Sequence, residues 1–132
     1  MPKIDIAGVP ARKGSGYPPP FDAPCAARTR QHLGDAGGLR DFGVNLMTLP
    51  PGGWSSQRHW HSDEDEFDYV LEGELKLVED NDQTVLRAGE CAAFPKGTGN
   101  GITCSTSLQR RSSILRLARA TRTTSPPALT ST

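Results

Sequence analysis

The stretch "GWSSQRHWHSDEDEFDYVLEG" (residues 53–73) sets His59 and His61 one residue apart, places Glu66 five residues further on, and has a glycine at each end. On a strand, side-chain alternation points residues i and i+2 the same way, roughly 7 Å apart. Two imidazoles so placed can converge on one ion at metal–nitrogen distances of about 2.1 Å. Trp60 then faces the other side. "SDED" is a polar loop of hairpin length, so Glu66, opening the next strand, can face the histidines across the pair. Two neutral histidines and a carboxylate leave a divalent ion with open positions, which suits O2 or bidentate substrate chemistry. Taken alone, an HxH pair in a polar loop is more often two solvated imidazoles than a metal site.

Outward from this stretch, short apolar or alternating runs are cut by turn residues. "FGVNLMTL" precedes "PPGG", "EFDYVL" precedes "EG", "ELKLVE" precedes "DND", "QTVL" precedes "RAGE", and "CAAF" precedes "PKGTGNG". Closely spaced strands with turns between them predict an antiparallel sandwich or barrel. No segment in residues 42–101 carries a helical period over three turns. Leu46, Val70, Leu75 and Leu77 are expected in the core, and Trp54, Trp60, Phe67 and Tyr69 as packing or dimer-face aromatics.

Residues 1–27 are rich in Pro and Gly and predict an extended arm, since proline lacks a backbone donor and fixes its own φ. Residues 28–41 read as a polar link into a barrel spanning residues 28–120, and residues 121–132 as a disordered tail. "GSGYPPP" has no helix behind it and is not a phosphate loop. The 132 residues suit one domain with one core. Net charge is zero, but ten acids cluster between Asp63 and Asp82 and none follows Glu90. Three well-separated cysteines without a CxxC pair argue against a disulfide framework and for a reducing compartment. With no long apolar run and no hydrophobic signal region, the expectation is a soluble cytoplasmic protein without a membrane partner.

The spacing of residues 53–73 resembles the first motif of the cupin superfamily: Gly, five residues, His-x-His, four residues, Glu, six residues, Gly. Gly89, Pro95 and Gly97 match the start of the second motif. More narrowly, "LPPGGWSSQRHWHSDEDEFDYVLEGEL" and "LRAGECAAFPKGTGNG" are similar to small single-domain bacterial cupins of uncharacterised function. The resemblance covers roughly residues 40–101. It implies an all-β, double-stranded β-helix (jelly-roll) barrel. Inside it, His59, His61, Glu66 and a later histidine would hold a divalent transition metal: iron, manganese, nickel, cobalt or zinc. It also makes a homodimer plausible, with residues 18–21 as an exchanged arm.

Three departures stand out. The second motif's histidine position holds Asn100, and the slightly later position used by the narrower group holds Ile102. His32, outside both motifs, is expected at the surface. Asp68 shares a strand face with Glu66 where an apolar residue would be usual. It is the one candidate for a catalytic proton acceptor, set against a solvated carboxylate at the barrel rim. After Gly101 the resemblance stops, and the composition turns to arginine, serine and threonine. Residues 101–106 can be encoded GGC ATC ACC TGC TCA ACC, and one C inserted after the first codon reads Gly-His-His-Leu-Leu-Asn, so a displaced reading frame is compatible with this tail. Natural divergence and a basic tail are the alternatives. The tail has no aromatics for base stacking, so no nucleic-acid partner is expected. "GITCSTSL" can still serve as a strand, and "SSILRLARA" as another with a poorer inward face, giving a weakened barrel with an exposed edge.

Three functions compete on this basis. One is a metal-dependent enzyme, oxygenase- or isomerase-like, acting on a small oxygenated molecule. The second is a cupin module that binds a small ligand without turnover. The third is an impaired copy lacking the fourth metal ligand.

Overall fold

The computed structural model describes residues 2–14, 19–20, 23–55, 59–60, 64–79, 82–97, 103–106, 110–119 and 128–129. The strands are β1 (Ala11–Lys13), β2 (Thr29–His32), β3 (Phe42–Leu49), β4 (His59–Trp60), β5 (Glu66–Glu72), β6 (Glu74–Val78), β7 (Gln83–Arg87), β8 (Cys91–Phe94), β9 (Thr103–Thr106), β10 (Ser112–Arg119) and β11 (Ala128–Leu129). A single helical turn, α1 (Leu33–Ala36), follows β2. All strand pairs are antiparallel. They form a six-stranded sheet in the order β1-β2-β3-β10-β5-β8, a three-stranded sheet β7-β6-β9 and a two-stranded ladder β11-β4. This is the antiparallel architecture expected from the turn spacing, in the jelly-roll form that the resemblance implies.

Alternation decides what is buried. Along β5 the residues are buried and exposed in turn from Glu66 to Val70, and β6 buries Leu75 and Leu77 on the facing sheet. Met47, Leu49, Val70, Leu75, Leu77, Leu86, Cys104 and Ile114 form one core cluster between the sheets. Each large apolar side chain there contributes about 1.5–3 kcal/mol by leaving water. Leu46 corrects the expectation. It is only half-buried, because the phase of β3 turns Met47 and Leu49 inward and leaves Leu46 on the outer face.

The stretch read as a polar link contains β2, whose residues lack an apolar alternation and are held by ladders on both sides. Part of the stretch read as an arm belongs to the same sheet as β1. Gln31 Nε2 donates to the carbonyls of Ile6 at 2.8 Å and Val9 at 3.0 Å. The buried Arg28 donates from Nε to the Gly14 carbonyl at 3.0 Å, and from Nη1 to the Ser55 carbonyl. Residues 18 and 21, and the tail apart from β11, lie outside the described residues.

The segment after Gly101 supplies β9 and β10. The strand β10 is not an edge: it lies between β3 and β5, with Ser112 and Ile114 fully buried. The outer strands are β1 and β8 in one sheet and β7 and β9 in the other. Beyond β9, Ser55 N donates to the Cys104 carbonyl at 2.8 Å and Thr106 N to the Gly53 carbonyl at 3.0 Å, so this edge is partly covered.

Gly73 turns β5 into β6 at φ +82°, where an added Cβ would stand 2.5 Å from both the Arg111 carbonyl oxygen and Ser112 Oγ. Ser112 Oγ in turn accepts from Glu74 N at 3.1 Å and donates to the Glu74 carbonyl at 3.0 Å, tying β10 to the turn. Gly73→Ala combines a left-handed backbone with a clash against main chain, and is expected to cost about 2–3 kcal/mol. The check is a lower urea midpoint at unchanged slope.

Candidate functional site

The inward phase of β5 continues past the apolar core into two acids, Glu66 and Asp68, which are 6% and 1% exposed. Asp68 is therefore not a solvated rim carboxylate. Strand β10 lies alongside, and its inward phase runs Ser112, Ile114, Arg116. Register sets Arg116 directly opposite Asp68 on β5 and Asn45 on β3. Arg116 donates Nε to Asp68 Oδ1 at 2.8 Å and Nη2 to Asp68 Oδ2 at 2.9 Å, a two-pronged fit of planar fork to planar carboxylate. The same Nε also forms an ion pair with Glu66 Oε1. The Arg116 side chain is 14% exposed, so this three-residue cluster is shielded from bulk water.

The row extends further. Asn45 is opposite His32 on β2, and His32 Nδ1 lies 2.9 Å from Asn45 Oδ1. A polar row, His32–Asn45–Arg116–Asp68, thus crosses four strands on one face. The neighbouring row, Arg30–Met47–Ile114–Val70, is apolar at its three inner positions. His32 is half-buried and hydrogen-bonded, not a free surface residue.

Electrostatics follow from this enclosure. Burial disfavours the Arg116 charge, but Asp68 and then Glu66 outweigh it and hold the guanidinium pKa well above its ordinary value. Arg116 is thus a permanent cation. Burial, reinforced by the Asp68 charge, pushes the Cys104 thiol from 9.0 up to about 12. Cys104 is therefore a neutral wall residue and no nucleophile. Two carboxylates against one guanidinium leave the three-residue cluster one negative charge in excess.

Glu66 also lies on the wall of a depression of about 530 Å³ that Phe42, Phe67, Phe94, Pro95 and Leu117 help to line. Most of that lining, Phe42, Phe67 and Leu117, is in the outward phase of its strands, on the opposite face of the sheet from the Glu66 and Asp68 side chains.

Of the residues singled out from the sequence, Glu66 and Asp68 are brought together on the inner face of β5. His59 lies on β4, where its backbone pairs with Leu129. His61, Asn100 and Ile102 lie outside the described residues. Among the described residues no three His, Cys, Asp or Glu side chains converge on one point. Arg116, Asn45 and His32 were not foreseen as interior groups. The available signal was phase: Arg116 is in step with Ile114, and Asn45 with Met47 and Leu49.

Comparison with known proteins agrees with this architecture. A family model for the cupin domain matches residues 45–106. A cupin-superfamily sugar phosphate isomerase of Silicibacter pomeroyi is 42% identical, with 91% of this chain and 76% of that one covered at a TM-score of 0.87. A provisionally assigned sugar phosphate isomerase of Acidithiobacillus ferrooxidans is 30% identical, covering 83% and 69% at 0.71. A polyketide cyclase of Streptomyces resistomycificus, 20% identical over 99% and 87% at 0.73, shares the fold alone. A comparison with curated proteins finds no match. No described helix is long and apolar enough to cross a membrane. With a jelly roll, the two spaced motifs and a relative this similar along most of its length, the chain belongs to the cupin superfamily.

Proposed function

We propose that this cupin binds a small phosphorylated sugar at the mouth of its barrel and moves a proton on it, interconverting aldose and ketose forms. The 42% identity to a sugar phosphate isomerase carries the choice of substrate class. The enclosed acid–guanidinium cluster supports the choice of chemistry. Isomerisation of this kind needs a base at the carbon beside the carbonyl and a donor at the carbonyl oxygen. Glu66, the acid nearer the start of β5, is the base. Arg116 is a fixed cation whose N–H groups suit an oxygen that gains negative charge. Asp68 grips that guanidinium with both oxygens and is a positioning residue. Burial of Glu66 and Asp68 on the inner face excludes water and strengthens these charges.

The test is incubation with aldose and ketose phosphates in D2O. Solvent deuterium is expected at the carbon beside the carbonyl, and Glu66→Gln should slow its entry by about 10²-fold or more. Ligand-dependent thermal stabilisation without any exchange would instead leave a non-catalytic binding module.

A second reading, a divalent transition metal on His59, His61 and Glu66, has the spacing of the first motif for it and the Arg116 ion pair to Glu66 against it. Such an ion would supply Lewis-acid polarisation of the carbonyl. Two copies would pair through the outer face of the six-stranded sheet, where Phe42, Phe67, Tyr69 and Leu71 are exposed.

A further inference from the structure

We propose that Arg116 is the resident cation of this barrel and that its guanidinium keeps a divalent metal off Glu66. The inference stands on the side-chain cluster, not on the isomerase reading. Glu66 is the one member of the His59–His61–Glu66 set whose side chain is described, and its carboxylate already forms a buried ion pair with Arg116. Asp68, the other acid within reach, is held at both oxygens by the same group. Neither carboxylate therefore needs a metal to offset its burial.

Geometry makes the exclusion hard to evade. A metal on Glu66 would lie beside a fixed, poorly solvated positive charge, and the guanidinium cannot lose its proton to make room. Nor can it swing away freely. It leaves the middle strand of the six-stranded sheet, is flanked by β3 and β5, and is pinned by Asp68. A protonated imidazole could yield its proton to an arriving ion; Arg116 has no such route. Asn100 and Ile102, where the family pattern would place the remaining histidine, offer no strong ligand to offset this repulsion.

The experiment is a titration of chelator-treated wild-type protein with Co2+ and Mn2+, followed by calorimetry, by the visible band of protein-bound cobalt and by thermal melting. The expected result is no stoichiometric uptake and no rise in melting temperature. The comparator is the double variant Asp68→Asn/Arg116→Gln, which removes one charge of each sign and takes the guanidinium away from Glu66. It should take up Co2+ with an apparent affinity at least about tenfold tighter than wild type and be stabilised by it. One equivalent of cobalt bound by wild type, and lost in Glu66→Gln, would overturn the proposal. So would a folded double variant that gains no affinity. Should the double variant not fold, the wild-type titration with its Glu66→Gln control decides alone.

Discussion

Replacing Arg116 by methionine is expected to destabilise the protein by about 3–5 kcal/mol, the usual cost of removing one partner from a buried ion pair. Methionine is close in length to the aliphatic stem of the arginine, so the loss is mainly electrostatic. Two carboxylates, 6% and 1% exposed, would then face each other with no cation between them. Like unit charges at roughly 4 Å repel by about 4 kcal/mol at an effective dielectric of 20, and each acid also loses a charge-assisted hydrogen-bond partner. For a domain of ordinary stability, about 5–15 kcal/mol, this is a large share. The measurement is a urea melt of the single variant beside the triple variant Glu66→Leu/Asp68→Leu/Arg116→Met. Removing the whole cluster leaves no uncompensated charge, so the triple variant should recover most of the loss. A single variant within about 1 kcal/mol of wild type would show that water reaches these acids.

Much of the fold was legible because turn chemistry and alternation are local. "EFDYVLEGELKL" shows two strands of period two with a glycine between them, and the structure has β5, Gly73 and β6 there. Other features were not local. The residues of β2 look like a link, and what makes them a strand is two neighbours that arrive from elsewhere in the chain. Leu46 and Met47 are both apolar, so composition cannot say which faces in; the phase is set by pairing with β10. The site divides in the same way. Glu66 stands out through its spacing from the histidines. Asp68 looked exposed because an acid two residues from another acid needs a cation to be buried, and that cation lies on a distant strand. Arg116 itself sits among arginines that suggest a solvated basic tail. Only the register of β10 against β5 separates it from Arg119 at the exposed end.

Ending the chain at Arg110 is expected to abolish cooperative unfolding altogether. The tail after Gly101 departs from the motif pattern of the superfamily, and a tail of that kind is often dispensable. Here it is not, because β10 occupies the centre of the six-stranded sheet. Its removal would separate β1-β2-β3 from β5-β8 and free the backbone donors and acceptors of two long strands at once. It would also take away Ile114, fully buried between Met47 and Val70, and Ser112, whose hydroxyl ties the Gly73 turn to the sheet. Arg116 would go too, leaving Glu66 and Asp68 without their cation. Each of these losses alone is of order 1–5 kcal/mol, and together they exceed the whole stability of an ordinary domain. The check is circular dichroism with a urea melt: the full chain gives a single sigmoid, the shortened chain a featureless slope. A shortened chain that still melts in one transition would mean that another segment can occupy the gap between β3 and β5, and that the tail is an accessory after all.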